Sequence, residues 1–328
     1  PHAYGYFNHM PHANFQGGHV TTGGLFADSD SMPVPIRTQF VAANLLGHTV
    51  DWHVVERQGS TYQTRHGGKL LDARDPWFAP TDLALGPDGS IFVADWHDQR
   101  TAHPDPDANW DRSNGRVYAI RPNGAAPLER FDLAKLPSTG LIELLGNRNV
   151  WMRRAARRLL IEREDHSSLS LLRAQVLANH EPRATVEAFW TWISLTTLNE
   201  ADVLLALRHP RPEIRAWMIR SLANDGDVTA QPIAQELSRL ANEEPEVQVR
   251  SVLAQCAQRW PNSIGVSLAI SSIQRDVDND DPRIPLLDWW TLAASLPTQR
   301  AAVLWLCQRE PTRRSTLYQI HILHRLIR

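Results

Sequence analysis

The stretch Gly86-Pro-Asp-Gly-Ser-Ile-Phe-Val-Ala-Asp-Trp96 contains a turn followed by a strand. Pro87 presets φ and Gly89 accepts a positive φ, so Pro87-Asp88-Gly89 reads as the turn of a β-hairpin. The preceding Thr81–Gly86 and the following Ser90–Trp96 are its two strands. Upstream, His19–Ala27, Thr38–Leu46, Thr49–Arg57 and Thr61–Gly67 are four more runs of strand length separated by turn chemistry. Downstream, Gly115–Ile120 is a seventh. The chain therefore reads as β up to about residue 127.

From Leu128 the period changes. Glycine becomes rare and apolar residues recur at three- and four-residue spacing, the helical signature. Five stretches resemble one another: Arg148–Leu160, Pro182–Ile193, Pro210–Ala223, Pro245–Ala257 and Pro282–Ala293. Their starts fall roughly 30 to 37 residues apart, a spacing typical of helical-hairpin repeats, which bury their apolar faces only by stacking on neighbours. The prolines stand before or in a first helical turn, where a missing N–H costs least. Asn149 and Ser138 have the chemistry of helix N-caps. The expected domains are 1–127 (β) and 128–328 (α).

Arg153, Arg215 and Arg250 occupy the same repeat position. A basic binding ridge is one reading. The other, preferred here, is a ladder pairing with acids and helix ends between repeats. Arg153, Arg154, Arg157 and Arg158 lie on two adjoining faces of one helix, as a solvated charged face or as an anion site.

The chain has 328 residues, is 42% hydrophobic and carries a formal net charge of -2. That is long enough for two domains with cores of their own, and the charge balance does not point to nucleic acid. No apolar run is long enough to span a bilayer. Two cysteines, Cys256 and Cys307, make no disulfide framework and are expected as buried free thiols. The start at Pro-His-Ala, without Met or signal peptide, leads to the expectation of a fragment or processed chain. Twelve tryptophans suit either core packing or carbohydrate contacts.

The polar segment after the hairpin holds Asp95, His97, Asp98, Arg100 and His103. A neutral imidazole there serves as a base near neutral pH, oriented by Asp95 or Asp98. In the bland reading the same residues only tie the loop together. Asp105, Asp107, Asn109 and Asp111 place oxygens at every second residue, an array that suits calcium. Trp110 stands where an EF-hand requires Gly and Arg116 where it requires Glu, so no EF-hand is present; a solvated loop of Asx-turns is the competing account. Nine of the fourteen histidines lie in the β part. His48 and His53, five apart around one strand, face opposite sides. His19 and His48, at strand boundaries, are the better ligand candidates.

Two longer quotations carry a resemblance. Gly23–Val55, "GGLFADSDSMPVPIRTQFVAANLLGHTVDWHVV", with Trp77–Arg100, "WFAPTDLALGPDGSIFVADWHDQR", resembles blades of a six-bladed propeller of the soluble quinoprotein glucose dehydrogenase type. The helical stretches resemble HEAT repeats. Together, and most specifically in Ala94–Ile120 and "LLGNRNVWMRRAARRLL" (Leu144–Leu160), they resemble the membrane-bound dehydrogenase family of the Planctomycetes–Verrucomicrobia group. The resemblance implies a partial β-propeller of about two blades followed by an α-solenoid, in a periplasmic or otherwise extracytoplasmic protein. It further implies a sugar- or alcohol-directed oxidoreductase passing electrons to a c-type haem domain outside this chain, with this chain alone inactive. The alternative is a protein- or carbohydrate-binding scaffold using the propeller face or the concave HEAT surface.

On this resemblance His48, Asp82, Asp95, His97 and Arg100 are the catalytic candidates, and His19 and His103 the ligand contacts. Pyrroloquinoline quinone is the cofactor of the quinoprotein enzymes, where an Arg-x-Arg-Asp and a lysine hold it. The matching positions here are Ala79-Pro80-Thr81-Asp82 and Leu46, so only the acid is kept. No Cys-x-x-Cys-His is present for haem attachment.

Overall fold

A computed structural model describes residues 21–98, 113–123, 128–225, 228, 230–260 and 263–327. The chain combines two small antiparallel sheets with a long run of helices. Strands β1 (Thr21–Phe26), β2 (Phe40–Asn44), β3 (Thr49–Gln58) and β4 (Thr61–Asp72) form the first sheet in sequence order. Strands β5 (Pro80–Leu85), β6 (Ile91–Asp95) and β7 (Arg116–Ile120) form the second. All seven expected strands are found. The hairpin closes as its residues dictate: Gly86 N donates to Ser90 O (2.8 Å) and Gly89 N to Gly86 O (3.0 Å). Gly89 has φ +79°, and a Cβ there would lie 1.8 Å from Ser31 Oγ, so conformation and space both require glycine.

Alternation of side chains puts Val41, Ala43 and Val50 on one face of the first sheet. They share a core with Leu83, Ile91 and Val93 of the second sheet and with Phe78. The sheets approach closely at Gly23 (φ +57°), where a Cβ would stand 2.6 Å from Asp82 Cα. Thr22 Oγ1 donates to Pro80 O (2.5 Å) at the same place.

The helices among the described residues are α1 (Ser138–Leu144), α2 (Val150–Glu162), α3 (Leu169–Ala178), α4 (Pro182–Leu195), α5 (Glu200–Leu207) and α6 (Pro212–Asp225). They continue with α7 (Gln231–Glu243), α8 (Val247–Ala257), α9 (Ser263–Arg275), α10 (Ile284–Gln308), α11 (Glu310–Arg314) and α12 (Leu323–Ile327). The five similar stretches correspond to α2, α4, α6, α8 and α10. Helix α6 packs on α8 and α8 on α10, while α5 packs on α7 and α7 on α9. Pro297 lies inside α10, which departs from helical geometry at Gln299 (φ -134°). Asn149 caps α2, its side chain accepting from Trp151 N (2.9 Å). Ser138 is not a cap: Pro137 holds that position and Ser138 begins α1, its side chain hydrogen-bonding Asp165 instead. Cys256 and Cys307 are buried free thiols, and burial pushes Cys307 up to about 11.

The chain divides into two compact units, Pro1–Glu56 with Gln63–Thr191, and Arg57–Tyr62 with Trp192–Arg328. The second boundary falls inside α4, so the first unit holds the second sheet, the first sheet apart from the tip of the β3–β4 hairpin, and the first helices. In the second unit Val266, Ile270, Ile273, Leu292, Val303 and Ile322 are part of a core of their own.

Candidate functional site

Three of the sequence candidates meet around one short segment of the first unit, Trp77–Ala79. His48 enters β3 in a left-handed conformation (φ 54°), and its Nδ1 is 2.7 Å from Phe78 O. Asp95 ends β6 with its side chain buried. Its Oδ1 accepts from Ala79 N (2.8 Å) and from His97 N (2.8 Å). The tight turn gives His97 φ 57° and brings its Nδ1 to 3.4 Å from Asp95 Oδ2. Neither of those two buried atoms has a hydrogen-bond partner among the described residues. The Trp77 ring packs on the imidazole at a centroid distance of 5.9 Å.

Asp82 stands apart from this cluster. It is exposed, and its Oδ1 accepts from the neighbouring Leu83 N (2.8 Å). Arg100, His103 and His19, and the acidic segment Asp105, Asp107, Asn109 and Asp111, lie outside the described residues. Among the described residues no three His, Cys, Asp or Glu side chains gather as a metal site. The quinone's carboxylates need paired cations. Leu46, Ala79, Pro80 and Thr81 offer none, and Ala79 N is already given to Asp95. These positions therefore do not fit pyrroloquinoline quinone.

A second feature was missed in the sequence. Within the first unit a cavity of about 930 Å³ opens between the sheets and helices α2 and α4. Its aromatic lining is Phe26, Phe40, Trp151 and Trp190. Its charged lining is Asp28, Arg153, Arg154, Arg158 and Glu187. Arg153 and Glu187, each 4% exposed, belong to a buried network. Arg153 donates to Asp28 through Nη2 and to Asn147 O (2.7 Å) through Nη1, while Arg157 pairs with Glu187. Burial holds the Glu187 carboxyl above its usual range, and Arg157 and Arg153 offset only part of that rise. Arg157 also covers a face of Trp190 at 4.9 Å. Arg154 is exposed on the cavity side and makes no ion pair among the described residues. Arg158, also exposed, reaches Glu162 at 3.7 Å. The four-arginine helix thus divides its labour: Arg153 and Arg157 are structural, and Arg154 and Arg158 face open space.

The same helix is anchored by Asn149. Its Nδ2 donates to Gly86 O (3.0 Å) and Pro87 O (2.8 Å), and Val150 N donates to Asp28 O (2.9 Å). The cavity walls are therefore fixed to the hairpin turn that opened the sequence reading. The signal that could have found the cavity is the run Trp151 to Arg158 read with Glu187 and Trp190, one repeat later.

The three aligned arginines pair with acids, as the ladder reading expects. Arg153 Nε lies 3.5 Å from Glu187 Oε1. Arg215 holds Glu244 through Nε (2.8 Å) and Nη2 (2.5 Å). Arg250 holds Asp278 through Nε (2.7 Å) and Nη2 (2.6 Å). Each also donates to carbonyls just before its own helix: Asn147 for Arg153, His209 and Pro210 for Arg215, Glu244 and Pro245 for Arg250.

A family model described as "Domain of unknown function (DUF7133)" matches residues 4–124. No curated protein and no solved structure matches the chain. No helix among the described residues is long and apolar enough to cross a membrane.

Proposed function

We propose that this chain is the carbohydrate-binding portion of a larger extracytoplasmic protein that joins propeller blades to HEAT-like repeats. The cavity beside α2 carries the reading: aromatic rings and two outward-facing arginines over a floor whose charges are already paired. Such a floor is preorganised, so little ordering is needed when a ligand enters. Aromatic side chains offer flat apolar faces with polar neighbours, which suits sugar rings. The four- and three-stranded sheets side by side support the blade reading. The arginine-to-acid pairing from one helical pair to the next supports the HEAT reading. Electrophoresis of the protein in gels containing soluble polysaccharides tests the proposal. Retardation in at least one gel, abolished by Trp151→Ala, is expected. Unchanged mobility in all of them would sink it.

A second reading rests on the Asp95–His97 pair. His97 would accept the hydroxyl proton in a sugar or alcohol oxidation, while the carbon-bound hydrogen leaves as hydride to a two-electron acceptor outside this chain, which then hands the electrons singly to a c-type haem domain and releases the second proton. Dye-linked turnover of a sugar panel by the full-length protein, lost in His97→Asn, would favour it. Retention on polysaccharide without turnover would favour binding alone, and a co-purifying protein partner without either would favour a scaffold role for the helical repeats.

A further inference from the structure

Phe26 and Phe40 line the cavity, but they are also the first two rungs of a longer array. Phe26 opposes Phe40, and Phe40 opposes His53, in the strand register. Ring centroids run from Phe26 to Phe40 at 5.5 Å, to His53 at 6.2 Å and to His66 at 5.7 Å. Four rings, one from each strand, therefore cross the first sheet on the face opposite its core. Phe26 and His66 at the two ends are exposed, and Phe40 and His53 are half-buried. Aromatic side chains on an outer sheet face gain nothing from the core, and rings in mutual contact form a single continuous surface. At the Phe26 end that surface runs into the cavity, where Arg154 and Arg158 stand exposed.

We propose that this surface binds a linear acidic oligosaccharide. The inference rests on the saccharide reading of the cavity and adds charge, length and direction to it. Sugar rings lie along the Phe26–His66 ladder, whose rung spacing is close to the length of one sugar ring. Carboxylates meet Arg154 and Arg158 at the cavity end, where guanidinium forks recognise them. A single-stranded nucleic acid would use rings and arginines too, but it needs a basic track along its backbone. Here the net charge is -2, and Arg153 and Arg157 are consumed by Asp28 and Glu187.

Calorimetric titration of the whole chain with hexagalacturonate, digalacturonate, a neutral cellohexaose and an oligothymidylate tests the proposal. Hexagalacturonate is expected to bind at least tenfold more tightly than cellohexaose and than the dimer. Arg154→Ala with Arg158→Ala should erase the preference for the acidic sugar, bringing hexagalacturonate down at least tenfold to the affinity of cellohexaose. His66→Ala should weaken the hexamer severalfold and so narrow the gap between hexamer and dimer. Thermal unfolding of both variants verifies that they fold. Equal affinity for acidic and neutral hexamers would overturn the acidic specificity while leaving the cavity a saccharide site. Equal affinity for dimer and hexamer would overturn the ladder. Binding of neither sugar would remove the saccharide reading itself, and preference for the oligothymidylate would replace the sugar with nucleic acid.

Discussion

Arg153 and Arg215 occupy the same place in the repeat and end in different surroundings. Arg215 grips both carboxylate oxygens of Glu244, and Arg250 does the same with Asp278. Those stations are closed. At Arg153 the acid one repeat later, Glu187, is shared with Arg157, and the strongest contact goes to Asp28, just after β1. Arg153 Nε makes no hydrogen bond among the described residues. The station is open on one side, and the cavity lies there. A repeated residue thus serves one purpose where its partner is another helix pair, and a second where its partner is a sheet.

The comparison can be broken most directly at the closed station. Arg215→Ala leaves Glu244, 2% exposed, as a buried carboxylate without its cation. The expected loss is about 3–5 kcal/mol in urea unfolding, the range for removing one partner of a buried pair. A loss under about 1 kcal/mol would mean that the pair contributes as little as an exposed one.

Asp288 sharpens the contrast, being a buried acid with no arginine partner among the described residues. It is fully buried, and burial pushes its carboxyl well above the usual range, against a hydrogen bond from Ser272 Oγ (2.8 Å). Because the folded pKa is raised, the neutral acid's contribution is complete below the ordinary carboxylate range. It is lost as pH rises towards the folded value. Asp288→Asn should therefore gain stability relative to the wild type as pH rises, by up to about 1.4 kcal/mol per pH unit in that interval. Melting temperatures across pH check it, and a gap that does not depend on pH would refute it.

At the open station Arg153→Ala should cost less than Arg215→Ala, about 2 kcal/mol. Glu187 keeps Arg157, and Asp28 keeps Arg183 at 3.6 Å. A loss equal to that of Arg215→Ala would erase the distinction between the stations. Asn149→Ala is expected to cost about 1 kcal/mol by removing the cap of α2. It should also reduce saccharide retardation, because the same side chain fixes α2 to the turn at Gly86 and Pro87. Unaltered retardation would show that the cavity wall holds without it.

The elements were largely legible because their periods are local. Strand alternation and the Pro87-Asp88-Gly89 turn lie within a few residues, and the repeat spacing needs only the sequence laid against itself. The arginine ladder was legible too, since an arginine recurring on helices demands acids nearby. The cavity was not, because its walls come from residues about 25, 85, 155 and 190, and no local pattern joins them. The ring ladder was hidden for another reason. Phe26, Phe40, His53 and His66 become neighbours only through the strand register, and His53 and His66 look like isolated histidines in a list. Ser138 has the chemistry of a cap, yet Pro137 fits that extended backbone and frees the hydroxyl for Asp165. His48 stands just before β3 in a left-handed conformation and reaches Phe78 O, while His53 lies within β3 on the ladder, so strand alternation applies to His53 alone.

The pairing of Arg215 with Glu244 and of Arg250 with Asp278 also bears on how such a chain can grow. The residues from 216 to 250 contain the acid that answers the arginine behind and the arginine that requires an acid ahead. A duplication of that segment would arrive with both halves of its own joint. Its copy would leave no buried charge unanswered, so the array could lengthen or shorten by whole repeats without a compensating substitution elsewhere. The ladder is in this sense a coupling standard, and gene-level tandem duplication is the process it makes tolerable.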